Sequence, residues 1–298
     1  MLAAGLAAAV VVCGSATAGL RAPASRTAAA RRGLLPGSFA QFDTGPRGGT
    51  VWQGVIPNRF ATGATRASIV YLPPGATDTQ RYPVLYILHG LPGSPYSISN
   101  GLRFAEVADP LIGSGSVPPF IAVMPVAGTT GHYTGEWTGP WEDFVVHGVV
   151  PWVDAHLPTL ARASARAIAG LSAGGFGSVD IGLRHPTVFG TLESWSGYFR
   201  PLRDGTLRNA SPAVLAANDP TLLTQREAPL LRRLGTRFFL SCGSTHDRVT
   251  ASFAQSFARE LADLRLSHRL FLAPGGHDGR FWRRQLPEAL VYALRPPA

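Results

Sequence analysis

Residues 165–186 read ARAIAGLSAGGFGSVDIGLRHP, and this stretch decides the fold. Ala165–Ala169, apolar apart from Arg166, is a short run of the kind expected for a strand buried on both faces. Ala173–Arg184 then reads as a helix that ends before Pro186, because the residue preceding a proline avoids helical backbone. Between the two lies Gly170-Leu171-Ser172-Ala173-Gly174, the G-x-S-x-G spacing of a nucleophile elbow. The glycines have a steric purpose. A serine held in a tight strand-to-helix turn brings the residues two before and two after it against neighbouring backbone. With 34 glycines in 298 residues, chance alone would give the five-residue pattern roughly 0.3 times, so the strand–turn–helix context carries the reading. Gly175 and Gly177 are expected to let the helix lie close to the sheet.

The same alternation extends along the chain. Val51–Ile56 and Ala67–Leu72 read as strands joined by a turn over Asn58–Thr65. Val84–Leu88, Phe120–Met124, Phe238–Ser241 and, less purely, Arg269–Leu272 are further buried-strand runs. Trp141–Leu157, Ala251–Leu264 and Phe281–Leu294 carry apolar residues at helical spacing. Strands alternating with helices predict an α/β fold, a mostly parallel central sheet with helices on both faces. Reactive groups in such a sheet belong in loops at the carboxyl ends of the strands.

That rule narrows the candidates. A serine hydroxyl needs a base, and the base needs an orienting carboxylate; on this architecture the chain order is Ser, acid, His. His277 stands in Pro274-Gly275-Gly276-His277-Asp278, directly after the last strand, and is the candidate base for Ser172. His185, at the end of the elbow helix, reads as a surface residue, and His268 precedes a strand. Asp247, in Gly243-Ser244-Thr245-His246-Asp247 after the penultimate strand, is the candidate acid; its rival role is a helix N-terminal charge. Asp278 adjoins His277 too closely to orient it, Asp204 and Asp219 lie in a long irregular insert, and His246 is a bystander. An oxyanion needs backbone N–H donors. Ala173, after the serine, is one; Leu91 in His89-Gly90-Leu91-Pro92-Gly93 is the other, since Pro92 has no N–H.

Leu2–Leu20 holds no charged residue, and Leu6–Val12 is followed by Ala16-Thr17-Ala18, an A-x-A pattern. Residues 1–18 are expected to be a secretory signal peptide, with an uncleaved anchor as the rival; 19–45 to be a disordered linker; and 46–298 to be the catalytic domain. The chain is thus expected to be secreted or held at the cell envelope. The net charge of +9 comes with arginine as the sole basic residue besides histidine. Arg21, Arg26, Arg31 and Arg32 crowd into the N-terminal stretch, and no nucleic-acid motif accompanies them, so nucleic acid is not an expected partner. Cys13 and Cys242 are the two cysteines; with the leader removed no intrachain disulfide is available, and Cys242 reads as a buried thiol. No metal signature stands out. Trp137, Trp141 and Tyr133 are candidates for a groove wall, with core packing the alternative for Trp141.

Taken together, Ile87-Leu88-His89-Gly90, Ala169 to Gly175, Leu183-Arg184-His185-Pro186 and Gly275-Gly276-His277-Asp278 resemble the esterase D / putative esterase family of α/β-hydrolases, which also contains feruloyl esterases and mycolyltransferases. Trp141-Glu142-Asp143-Phe144, Val150 to Asp154 and Ser196-Gly197-Tyr198-Phe199 add to the resemblance, which covers about Ala67–Leu294. It implies the α/β-hydrolase fold and serine ester hydrolysis or acyl transfer, without a cofactor, on a lipid, glycan or small-molecule ester. In mycolyltransferases the positions of His89 and Pro92 are typically Asp and Arg, which help hold trehalose. Their replacement here favours hydrolysis; acyl transfer is the alternative, and a non-catalytic envelope-binding protein on the same scaffold is a third reading, opposed by the complete triad.

Overall fold

The computed structural model describes residues 33–61, 67–128 and 136–295. The signal-peptide or anchor segment, most of the proposed linker and Tyr133 lie outside the described residues. Among those described, one sheet contains β1 (Ala40–Thr44), β2 (Thr50–Gly54), β3 (Ser68–Leu72), β4 (Val84–Leu88), β5 (Ile121–Met124), β6 (Arg166–Leu171), β7 (Thr191–Trp195), β8 (Arg237–Gly243) and β9 (Ser267–Ala273). Its strand order is β1-β2-β3-β5-β4-β6-β7-β8-β9. The pairs β1–β2, β2–β3 and β3–β5 are antiparallel; every pair from β5 through β4 to β9 is parallel. The helices are α1 (Pro95–Ser99), α2 (Phe104–Gly113), α3 (Pro140–Asp143), α4 (Val150–His156), α5 (Ala173–Arg184), α6 (Pro212–Ala217), α7 (Pro220–Leu234), α8 (Arg248–Asp263) and α9 (Gly279–Leu294). None is long and apolar enough to cross a membrane.

The pleat divides the core in two. In β4, Val84, Tyr86 and Leu88 face a cluster with Val179, Leu231 and Phe257 from α5, α7 and α8. Leu85 and Ile87 face the opposite cluster, with Phe104 from α2 and Leu286 and Leu290 from α9. Both faces are therefore covered, which is why the central strands read as continuous apolar runs rather than alternating ones.

Four departures from the sequence reading have physical causes. Residues 40–44, assigned to the linker, form β1: its register on β2 runs from Ala40↔Gln53 to Thr44↔Thr50, and backbone pairing of an edge strand needs no apolar signature. Residues 191–195 form β7, whose Glu193 and Ser194 are buried although they read as polar. The insert of Asp204 and Asp219 is not irregular throughout, since α6 and α7 lie within it and Asp219 caps α7 by accepting from the Leu222 N–H at 3.2 Å. The helix expected over Trp141–Leu157 is α3, a π-helical segment Phe144–Val149, then α4. Pro151 lacks the N–H that a regular ladder requires, and a π turn accommodates the gap.

The strand order sets the site. β6 lies between β4 and β7, with β8 and β9 beyond, all parallel. The loops after β4, β6, β8 and β9 consequently emerge at one end of the sheet.

Candidate active site

The elbow is built as its sequence requires. Ser172 joins β6 to α5 with φ 56° and ψ −118°, a left-handed conformation that costs a non-glycine residue roughly 1–3 kcal/mol. Its N–H is tied to the Trp195 carbonyl at 2.9 Å, which fixes the turn against β7. A Cβ at Gly170 would stand 2.2 Å from the Gly174 carbonyl oxygen, and one at Gly174 would stand 2.2 Å from that of Leu88. Neither distance leaves room for a side chain. A Cβ at Gly177 would meet Trp137 at 2.4 Å, so this glycine admits a tryptophan and not the sheet.

The loop after β4 rests directly on the elbow: a Cβ at Gly90 would lie 3.1 Å from that of Ser172. His89 holds the loop from beneath. It is fully buried, its Nε2 accepts from the Ala127 N–H at 3.2 Å, and its Nδ1 lies 2.9 Å from the Gly90 oxygen, so the ring hydrogen sits on Nδ1. The Trp137 indole donates to the His89 carbonyl at 2.9 Å. Trp137 is thus a buried brace and not an open groove wall, while Trp141 packs against the core. Leu91 follows on the cleft side, and Ala173 opens α5, where a helix cannot satisfy its own first N–H groups.

The loops that carry Asp247 and His277 are joined beyond the sheet. The His246 N–H donates to the Gly275 oxygen at 2.9 Å, and that of Ser244 to the Ala273 oxygen at 2.9 Å. Gly243 permits this approach, since a Cβ there would stand 2.5 Å from the Gly275 oxygen. The side chains meet accordingly. His277 Nε2 lies 2.9 Å from Ser172 Oγ, and His277 Nδ1 lies 3.1 Å from Asp247 Oδ2. Asp247 is 6% exposed and, although it precedes α8, makes no side-chain cap to that helix. Asp278 points elsewhere, accepting from the Phe281 N–H at 2.9 Å as the cap of α9. His246 is exposed and contributes backbone alone to this arrangement. Ser172 and His277 open onto a cleft of about 460 Å³ walled by Gly90, Leu91, Leu102, Leu171 and Trp282.

Several buried polar groups were not anticipated. His185 is not a free surface residue: its Nε2 lies 2.7 Å from Glu142 Oε1, to which Arg184 Nε also donates at 2.8 Å. Burial opposes ionisation of Glu142, but these two partners outweigh it and hold its pKa below the usual carboxylate range. Cys242 is a buried free thiol whose pKa burial pushes up to about 12, which removes it as a nucleophile. Glu136 accepts from the Tyr198 hydroxyl at 2.6 Å, and burial pushes its pKa up to about 8.

Asp180, on α5, is fully buried with neither carboxylate oxygen hydrogen-bonded, and burial drives its pKa well above the ordinary value. The folded protein therefore keeps a proton that the unfolded chain gives up above about pH 4. A raised folded pKa gives stability that is present at low pH and lost as pH rises towards that pKa, at about 1.4 kcal/mol per pH unit for one group. Asp180→Asn is expected to raise the melting temperature at pH 8, with the gain shrinking towards pH 4. Thermal melts of both proteins across that range test this; a pH-independent difference would show that Asp180 does not titrate with folding.

A family model described as "Putative esterase" matches residues 61–293. The esterase Rv1288 of Mycobacterium tuberculosis is 30% identical over 257 residues, covering 74% of this chain and 54% of that protein. An endo-1,4-β-xylanase/feruloyl esterase of Xylanibacter ruminicola is 34% identical over 149 residues, covering 46% of this chain and 20% of that protein. The chain thus spans about half the length of the first of these relatives and less of the second. Among solved structures, a ferulic acid esterase superposes with a TM-score of 0.69 at 23% identity, covering 83% of this chain and 98% of its own. A feruloyl esterase module from Clostridium thermocellum, complexed with sinapinate, gives 0.65 at 19% identity, covering 85% of this chain and 91% of its own. At these identities the structural likeness speaks for the α/β-hydrolase fold.

Proposed function

The chain belongs to the putative esterase family, a family of ester hydrolases on the α/β-hydrolase fold, and we propose that it is a serine carboxylesterase working through an acyl-enzyme on Ser172. The observation that carries the reading is the unbroken chain Ser172 Oγ–His277–Asp247, at 2.9 and 3.1 Å, opening onto a cleft. Nδ1 of His277 carries the ring hydrogen and donates it to Asp247, which leaves the Nε2 lone pair facing the serine. As Ser172 Oγ attacks the ester carbonyl carbon, its proton passes to Nε2. The carbonyl π pair moves onto oxygen, where the N–H groups of Leu91 and Ala173 receive the charge. Collapse re-forms the carbonyl and breaks the bond to the alcohol oxygen, which takes the proton from Nε2. Water then repeats the sequence, yielding the acid and free Ser172. Asp247 orients the ring and stabilises its cationic form; it does not itself take the proton.

The substrate class is an ester of a lipid, a glycan or a small molecule. The feruloyl esterase relatives favour an acid small enough for the cleft, as an aromatic acid is. Export to the cell envelope or beyond is part of this reading and rests on the apolar run Leu6–Val12 before Ala16-Thr17-Ala18. Hydrolysis is preferred to acyl transfer because His89, where sugar-directed transferases carry an acid, is fully buried and engaged with Gly90 and Ala127. A panel of p-nitrophenyl esters from acetyl to palmitoyl tests the reading, with added glycerol or trehalose as competing acceptors. The free acid is expected as the main product. No turnover of any ester would overturn the reading, and predominant acyl-glycerol or acyl-trehalose would convert it to a transferase.

A further inference from the structure

His277 is the most exposed member of the triad, at 37% of its side chain, and it stands on a loop. Asp247 grips one nitrogen, and the Ser172 contact on the other is made and broken in each turnover, so a lasting restraint on rotation about the Asp247 bond needs a further contact. The restraint is Trp282. Its ring stands edge-to-face with the imidazole, centroids 5.1 Å apart and planes at 78°. Trp282 lies in the first turn of α9, where its own N–H donates to the Asp278 carbonyl at 3.1 Å, so base and tryptophan share one short piece of backbone. The indole is itself held, because Nε1–H donates to Ser196 Oγ at 3.1 Å.

Ser196 is built to be immobile. It is fully buried, takes φ 53° at the end of β7, and its N–H donates to the Ser241 carbonyl at 2.6 Å. A left-handed non-glycine backbone persists where its surroundings over-determine it. Ser196 does not wall the cleft, and its hydroxyl meets the base through the Trp282 indole.

We propose that Trp282, anchored by Ser196, is a positioning residue that holds the His277 imidazole in line with Ser172. The proposal rests on the serine-hydrolase reading above. Proton transfer demands close alignment, and a displacement of about 1 Å can cost on the order of 10²-fold in rate. Trp282 also walls the cleft, and the two roles separate experimentally. A wall acts on substrates according to their size; a brace of the base acts on all of them alike.

The test measures kcat and KM for p-nitrophenyl acetate and p-nitrophenyl butyrate with Trp282→Ala, Trp282→Phe, Ser196→Ala and the Trp282→Phe/Ser196→Ala pair. Trp282→Ala is expected to lower kcat roughly 10–100-fold, by the same factor for both esters, with KM moving far less. Trp282→Phe restores most of the activity because a ring remains. Ser196→Ala lowers kcat a few-fold, and adding it to Trp282→Phe costs nothing more, since the shared hydrogen bond is already gone. A loss in KM alone, a loss that differs between the esters, or additive effects in the pair would overturn the brace. The Phe and Ser196 variants keep the test decisive if Trp282→Ala does not fold. Ser172→Ala runs alongside: equal rates for it and wild type would remove the hydrolase reading itself, and the brace with it.

Discussion

Ser172→Ala is expected to lower the turnover of any ester this protein hydrolyses by on the order of 10⁴-fold or more, while the protein folds as before. The size follows from what is lost. Without Oγ no acyl-enzyme forms, and His277 has no proton to accept; the cleft and the backbone donors remain, which sets a floor above the uncatalysed rate. The fold is spared for a specific reason. Alanine keeps the Cβ that serine has at φ 56°, so the strain in the elbow is neither relieved nor increased, and the N–H bond to Trp195 is a backbone bond. A melting curve superimposable on that of wild type, together with a residual rate at least about 10⁴-fold below wild type but still above buffer plus inert protein, is the expected pair of results. Activity close to that of wild type would remove Ser172 as the nucleophile.

Residues differ in how much of their role sequence can carry. Gly170 and Gly174 were readable because the reason for them is local, a carbonyl 2.2 Å from where a Cβ would be. β4, β6 and β8 were readable because both faces are buried and composition alone records it. β7 was not, since Glu193 and Ser194 sit at buried positions and break the apolar run. α7 was hidden by Pro220 and Pro229, the first tolerable at a helix start and the second inside the helix. The burial of Asp180 depends on α7 packing over α5, which no local pattern encodes. Trp282 carries no signal of its own in the sequence, since nothing short of the fold brings Ser196, at the end of β7, beside it. The rule that reactive groups follow strand ends singled out Ser172, Asp247 and His277 as candidates, and the structure brings their side chains within 2.9 and 3.1 Å of one another, because chain order and topology are linked in a parallel sheet. It is silent on residues that act through another side chain.

Asp247→Asn is expected to cost roughly 10⁴-fold in turnover, the scale of the corresponding change in serine proteases. The substitution preserves size, and since Asp247 makes no side-chain cap to α8, helix capping does not confound it. Its effect is on the hydrogen. An asparagine amide facing Nδ1 at the 3.1 Å spacing can donate to it, which moves the ring hydrogen to Nε2, and Nε2 can then no longer accept from Ser172. The loss of charge also leaves the imidazolium unstabilised in a site where Asp247 is 6% exposed. Asp278→Asn is the matched control, one residue from the same histidine. Its carboxylate caps α9 through the Phe281 N–H, a role asparagine fills about as well. Its expected cost is therefore less than about 3-fold in turnover and a few tenths of a kcal/mol in stability. Both variants assayed at neutral pH with one short-chain ester decide the matter. A larger loss in Asp278→Asn than in Asp247→Asn would move the acid to position 278 while leaving Ser172 and His277 in their roles. Equal small losses would mean that the imidazole is oriented without a carboxylate, and the Trp282 brace would then be the restraint that remains.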